Sequence, residues 1–130
     1  MYLIDTNVWL ERLLDQERSK EVGDLFIRVS SEQFFLTDFS FHSIGIVLTK
    51  LKQTEGWMQF VRDILIDGTV TLIYLDPHDM LRLVEVMKQF NLDFDDAYQY
   101  TSAEKYKLTL VSFDADFERT ERKMKTPVQI

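Results

Sequence analysis

The sequence has 130 residues, a formal net charge of −7, 45% hydrophobic residues and no cysteine. A chain of this size and apolar content builds a core unaided, and the lack of thiols excludes a disulfide scaffold, thiolate metal sites and a cysteine nucleophile. The negative charge argues against generic electrostatic binding of nucleic acid, although a bound dication reverses the sign of a local site.

The first apolar stretch is broken at once by Asp5, Glu11 and Arg12, which does not fit a signal peptide. No apolar run reaches the length of a membrane span, so a cytoplasmic protein is expected. Tyr2-Leu3-Ile4 reads as a short buried strand that ends at Asp5. Thr6 is placed to cap a helix in which Val8, Trp9, Leu13 and Leu14 recur at helical spacing. Glu17 to Val29 predicts a second helix, with Val22, Leu25, Phe26 and Val29 inward. Phe34-Phe35-Leu36 predicts a second strand. Thr37 and Asp38 open a helix whose stripe is Phe41, Ile44, Leu48 and Leu51, and Gly45 within it points to a close contact. Thr54 is expected to cap a helix carrying Trp57, Phe60, Val61 and Ile64, and Asp67-Gly68 is a turn signal. Thr71 to Leu75 predicts a third strand. Pro77 suits the first turn of a helix carrying Met80, Val84, Met87 and Phe90 and ending at Asn91. Asp93 or Asp95 caps a further helix through Tyr106. Leu108 to Ser112 predicts a fourth strand, and Pro127 to Ile130 a fifth, at the edge. Strands separated by helices imply parallel pairing and right-handed crossovers. The expected fold is one α/β domain over residues 1–130, a three-layer α/β/α sandwich with a mostly parallel central sheet.

In such a sheet, ligands bind beyond the carboxyl ends of the strands. Asp5 lies at one such end, and Asp114 lies just past another. Asp96 sits in the first turn of a helix whose N-terminus can point at the same rim. Each has a structural alternative: Asp5 as a helix cap, Asp96 as a charge opposing the helix dipole, Asp114 as a turn residue. Together they suggest a cation site, because crowded carboxylates repel unless a cation neutralises them. Oxygen ligands without cysteine favour Mg²⁺ or Mn²⁺, which can activate water and orient a phosphodiester.

At these residues the chain resembles the PIN-domain family. Tyr-Leu-Ile-Asp-Thr-Asn-Val-Trp-Leu-Glu at 2–11 is similar to the family's opening motif. Asp95-Asp96-Ala97-Tyr98-Gln99-Tyr100 with Ala103 is similar to its central acidic helix, and Leu110 to Phe117 to its closing motif. The resemblance implies a parallel sheet flanked by helices and a Mg²⁺- or Mn²⁺-dependent endoribonuclease, in many members the toxin of a toxin–antitoxin pair. It implies that Asp5, Asp96 and Asp114 bind the metal, that Asp116 is an additional acid, and that Thr6, Asn7 and Ser112 orient acids or metal-bound waters. It also implies RNA as substrate, an antitoxin that inserts near the acidic pocket, and a homodimer.

The chain departs from the family pattern after its second strand, where a helix glutamate is usual. By offset Ser43 stands there, with Asp38 about one turn earlier as a substitute acid or a plain helix cap, and His42 as a partly buried polar neighbour. The departure keeps open a PIN-like binding module without catalysis. A phosphoacceptor domain is a third reading, although no strand end supplies the lysine it would use. Trp9, Trp57 and the ten phenylalanines read as core or dimer surface. Lys105/Lys107 and Arg119/Arg122/Lys123/Lys125 read as solvated faces, the second near enough to the Asp114 motif to meet an RNA backbone.

Overall fold

A computed structural model describes residues 1–130. Four strands, β1 (Tyr2–Ile4), β2 (Phe34–Thr37), β3 (Thr71–Ile73) and β4 (Thr109–Val111), form one parallel sheet in the order β3-β2-β1-β4. Tyr2 is level with both Phe34 and Thr109. The helices between them are α1 (Thr6–Leu13), α2 (Ser19–Arg28), α3 (Asp38–Lys50), α4 (Thr54–Val61), α5 (Asp79–Phe90) and α6 (Phe94–Tyr106). None is long and apolar enough to cross a membrane.

Because side chains alternate across a strand, each strand feeds two cores. Ile4, Leu36 and Val111 pack with Val8, Trp9, Val22, Leu25, Ile44, Leu48 and Phe60 from α1 to α4. Leu3, Ile73 and Leu110 pack on the opposite face with Leu83, Val86, Phe90, Ala97, Tyr100 and Ala103 from α5 and α6. The result is the α/β/α sandwich. Burying adjacent Leu3 and Ile4 completely, on opposite faces, contributes about 1.5–3 kcal/mol for each side chain and fixes the register of the central strand.

The order of the strands decides where a site can form. The chain steps outward from β1 to β2 to β3, covering one face with α1 to α4. It then returns along the other face to place β4 on the far side of β1. Direction reverses between β1 and β4, so their carboxyl ends flank a crevice that no crossover fills.

Several local expectations are corrected. Asp5, not Thr6, is the N-cap of α1, its carboxylate accepting from the Thr6 amide at 2.8 Å. The second helix begins at Ser19 rather than Glu17, since the Arg18 amide is taken by the Glu11 carboxylate. Thr54 is the first residue of α4 rather than its cap, and α4 continues into a π-helical turn, Arg62–Ile66. Pro77 precedes α5, where Asp76 accepts from the His78 and Asp79 amides. Asp93 caps α6 by accepting from the Asp96 amide. The third strand stops at Ile73 because the Leu75 amide turns to the Tyr98 hydroxyl.

The expected fifth strand is absent. Lys125 alone pairs beside β4, donating to Leu110 O and accepting from Ser112 N, both at 2.9 Å. Residues Pro127–Gln129 then coil into a 3₁₀ turn capped by Thr126 and Gln129. Pro127 has no N–H to offer a ladder, which favours the turn.

Gly45 does mark a close approach: an added Cβ would stand 2.9 Å from Trp57 Cζ2. Gly45→Ala gains about 1 kcal/mol in helix propensity but forces a ring in the aromatic cluster of Phe41, Trp57 and Phe60 to move, costing about 1–3 kcal/mol. A net loss of stability is expected, read as a lower urea midpoint. A midpoint equal to or above that of the parent would show that Trp57 yields freely.

Candidate active site

Asp5 stands where β1 becomes α1, and every polar group it has is committed. Its amide donates to Val111 O of β4 at 2.9 Å, and its carbonyl accepts from the amides of Val8 and Trp9. Carboxylate Oδ1 accepts from Thr6 N and from Gln99 Nε2, both at 2.8 Å. Oδ2 accepts from Ser112 Oγ at 2.7 Å and, at 3.5 Å, from Asn7 Nδ2. The residue is only 5% exposed. Burial raises its pKa above the ordinary carboxylate value, although the bonds from Ser112, Gln99 and Thr6 oppose that rise.

Three other carboxylates form the tightest acidic group. Asp96, Asp114 and Asp116 each place an oxygen within 4.8 Å of the others. Asp96 is carried by the first turn of α6. Asp114 follows β4 and caps a 3₁₀ turn (Ala115–Arg119), its Oδ1 accepting from the Asp116 amide at 2.9 Å. Burial and the charges of Asp114, Asp93 and Asp5 push Asp96 up to about 7. Sequence reasoning grouped Asp5, Asp96 and Asp114. The structure brings Asp96, Asp114 and Asp116 within that distance, while the more deeply buried Asp5 acts on Asp96 and Asp114 through its charge. An open pocket of about 250 Å³ lies in front of Asp5, bordered by Asn7, Phe39, Ser43, Asp95, Asp96 and Gln99 among others.

The polar residues around these acids form one connected network. Ser112, fully buried, donates to Asp5 while its oxygen accepts from the Asp114 amide at 3.0 Å. Asn7 links the same two segments, donating to Ser112 Oγ at 3.2 Å and accepting from Phe113 N at 3.2 Å. Thr6 donates to Ser40 Oγ at 2.7 Å. Gln99, Ser40 and Thr37 were not singled out from sequence, yet Gln99 is the hub. Its Nε2 donates to Asp5 and to Ser40, and its Oε1 accepts from Thr37 Oγ1 at 2.8 Å. The available signal was a glutamine at a buried position of α6, three residues after Asp96 on the face toward the sheet.

Asp38 does not join the acidic group. Its Oδ1 accepts from the Phe39 amide at 2.8 Å and the Tyr98 hydroxyl at 2.7 Å, and it borders a neighbouring groove. Ser43 lines both that groove and the acidic pocket. His42 is exposed beside the groove rather than partly buried. Two of the basic residues are engaged. Lys105 donates to Asp79 at 2.6 Å, and Arg119 binds Asp116 at 3.1 Å while donating to the carbonyls of Phe90 and Asn91. No motif pointed to Arg18, whose guanidinium lies 3.9 Å from the centroid of the Phe113 ring, next to Asp114 in the chain.

A family model described as PIN domain matches residues 2–123. Among solved structures, a toxin–antitoxin complex from Klebsiella pneumoniae is 19% identical over 98% of both chains, with a TM-score of 0.78. The Mycobacterium tuberculosis toxin VapC20, described as cleaving the sarcin–ricin loop, is 14% identical over 91% of this chain and 93% of its own, at 0.77. FitAcB from Neisseria gonorrhoeae is 19% identical over 100% of both, at 0.78. At these identities the likeness is one of fold. No curated protein sequence matches the chain.

Two expectations follow from this geometry. Asp5 and Asp96 both titrate above the ordinary value of 3.8. Without a bound ion, their protonation therefore stabilises the fold fully below that value, and the contribution disappears as pH rises through about 7 for Asp96. Asp79 and Glu104, held low by Lys105 and Arg82, act oppositely, but only on acidification below the ordinary carboxylate range. In EDTA the melting temperature should therefore fall between about pH 5 and about pH 8, with a smaller fall in Asp96→Asn. A melting temperature that climbs across this interval contradicts the assignment. Gln99→Leu leaves Asp5, Thr37 and Ser40 short of a partner and should cost about 1–3 kcal/mol in urea unfolding; an unchanged midpoint would mean that water replaces the amide at no cost.

Proposed function

Because the chain belongs to the PIN-domain family, we propose that it is a metal-dependent endoribonuclease that hydrolyses RNA phosphodiester bonds. The observation that carries the reading is the convergence of Asp96, Asp114 and Asp116 at the crevice between β1 and β4, with Asp5 behind them. Hard carboxylate oxygens with no cysteine, with burial and neighbouring acids holding Asp96 near 7, fit Mg²⁺ or Mn²⁺. Asp96, Asp114 and Asp116 would hold the ion. Asp5 would add charge, its Oδ2 being the freer oxygen because the Asn7 bond to it is long. Such an ion, when bound, polarises a phosphate oxygen and makes water more acidic.

The remaining groups act by position. Ser112 and Asn7 tie the end of β4 to the start of α1, which fixes the spacing between Asp114 and Asp5. Gln99 does the same between α6 and Asp5, so the acids from three elements keep their separations without the ion. This rigidity is the kind of preorganisation that a charged transition state exploits.

Membership of this family and the toxin–antitoxin neighbours support a toxin role with an antitoxin as protein partner, and to that reading we add a homodimer in solution and the cytoplasm as location. A second reading, a binding module with weak or no catalysis, has one observation in its favour. From α3 only Phe39 and Ser43 reach the acidic pocket, and neither is an acid.

Mn²⁺-dependent cleavage of a mixed-sequence RNA should fall at least about 100-fold in Asp114→Asn and in Asp96→Asn. Ser112→Ala should lose about 10–100-fold through misplacement of Asp5 and Asp114. Retention of full cleavage by either carboxamide variant would overturn the nuclease reading. Absence of both cleavage and Mn²⁺ binding by calorimetry in the parent would favour the binding module.

A further inference from the structure

Beside the acidic pocket runs a second groove of about 380 Å³, lined by Asp38, Phe39, His42, Ser43, Phe94 and Tyr98 with Ile46 at its rim. Phe39 and Ser43 line both cavities, so the groove adjoins the acidic pocket across a shared wall. Its wall is aromatic. The Phe39 ring centroid lies 5.4 Å from that of Tyr98 and 6.1 Å from that of Phe94. Phe94 remains 44% exposed, an unusual place for a phenylalanine in the first turn of a helix. The Tyr98 hydroxyl is fixed, accepting from the Leu75 amide and donating to Asp38 Oδ1. Asp38 Oδ1 also takes the Phe39 amide, whereas its Oδ2 has no partner within the protein. The groove thus joins an exposed aromatic ring to a carboxylate whose second oxygen is free of protein partners and open to solvent.

We propose that this groove is a nucleobase subsite for guanine in the nucleotide next to the one whose phosphate meets the acidic group, an inference that rests on the ribonuclease reading. Single-stranded RNA is read by stacking its bases on aromatic side chains and bonding their Watson–Crick edges. A carboxylate accepts and cannot donate, so it selects an edge rich in donors. Guanine offers two adjacent donors, N1–H and the N2 amino group. Uracil's N3–H lies between two carbonyl oxygens that the carboxylate repels. Adenine and cytosine each place a ring-nitrogen acceptor beside their amino group. The apolar lining suits a broad neutral ring better than a hydrated ammonium. The volume falls in the range of small-ligand sites.

The test separates this inference from the nuclease reading by using uncharged nucleosides, which need neither metal nor cleavage. Guanosine, adenosine, cytidine and uridine are titrated into the isotopically labelled protein in EDTA and followed by NMR. Guanosine should shift Phe39, His42, Phe94 and Tyr98 most, with affinity about tenfold above the other three. Asp38→Asn should erase that preference, and Phe94→Ala, which spares the Tyr98–Asp38 bond, should weaken all four nucleosides. No shift in the groove with any nucleoside, or equal shifts that Asp38→Asn leaves unchanged, overturns the guanine assignment. Shifts with arginine methyl ester but none with guanosine overturn it in favour of a cationic side chain from a protein partner. Loss of cleavage in Asp114→Asn with nucleoside shifts intact would leave the subsite standing.

Discussion

A buried carboxylate at the junction of two secondary structures organises this protein. Asp5 ends the central strand, caps the first helix and accepts bonds from side chains on α6 and on the segment after β4. Desolvating an anion is costly unless hydrogen bonds replace its water, and here at least three short ones do. Those donors come from Thr6, Gln99 and Ser112, far apart in the chain, so satisfying Asp5 requires that α1, α6 and β4 meet at one end of the sheet. The same requirement brings Asp96 and Asp114 together.

The electrostatics of the rim follow from that assembly. Asp96, Asp114 and Asp116 face one another with little positive charge to separate them. Arg119 engages Asp116, but it is anchored at the same time by two backbone carbonyls at the end of α5, so its charge is shared. Partly buried and crowded by other acids, Asp96 takes up a proton more readily than an isolated aspartate. A proton that Asp96 takes up in the absence of an ion is one that a hard dication can displace. The overall charge of −7 is therefore compatible with a polyanionic substrate if the cation arrives with it or before it.

The network also explains why α3 plays an indirect part. Its acid, Asp38, is turned aside by the Tyr98 hydroxyl into the adjacent groove, and its first two turns give the acidic pocket Phe39 and Ser43 in place of a carboxylate. Thr37 and Ser40, at the start of the same helix, serve the pocket through Gln99. Two functions, support of the acids and the shape of the neighbouring groove, thus share the first two turns of α3.

Alternation of apolar residues and the positions of helix breaks are local properties, and they were legible in the chain. Strands at Tyr2–Ile4 and Phe34–Leu36, a helix ending at Asn91 and another capped by Asp93 or Asp95, and Asp5 and Asp114 at strand ends could all be read from residue order. Fold class followed, because strands separated by helices leave few topologies open. What residue order could not supply was which carboxylate oxygens approach within bonding distance. That depends on the packing of α6 against β4 and on hydrogen bonds such as Gln99 to Asp5, formed between residues 94 positions apart. Asp116 thus joins Asp96 and Asp114 in the tight acidic group, Asp5 meets that group through its charge, and Asp38 borders the next groove. The tail likewise became a turn because Pro127 has no donor for the sheet edge, a choice made only where Lys125 meets β4. Sequence specified the sheet and its acidic ends; the three-dimensional arrangement alone decided how those acids share the rim, because their contacts are long-range in the chain and short-range in space.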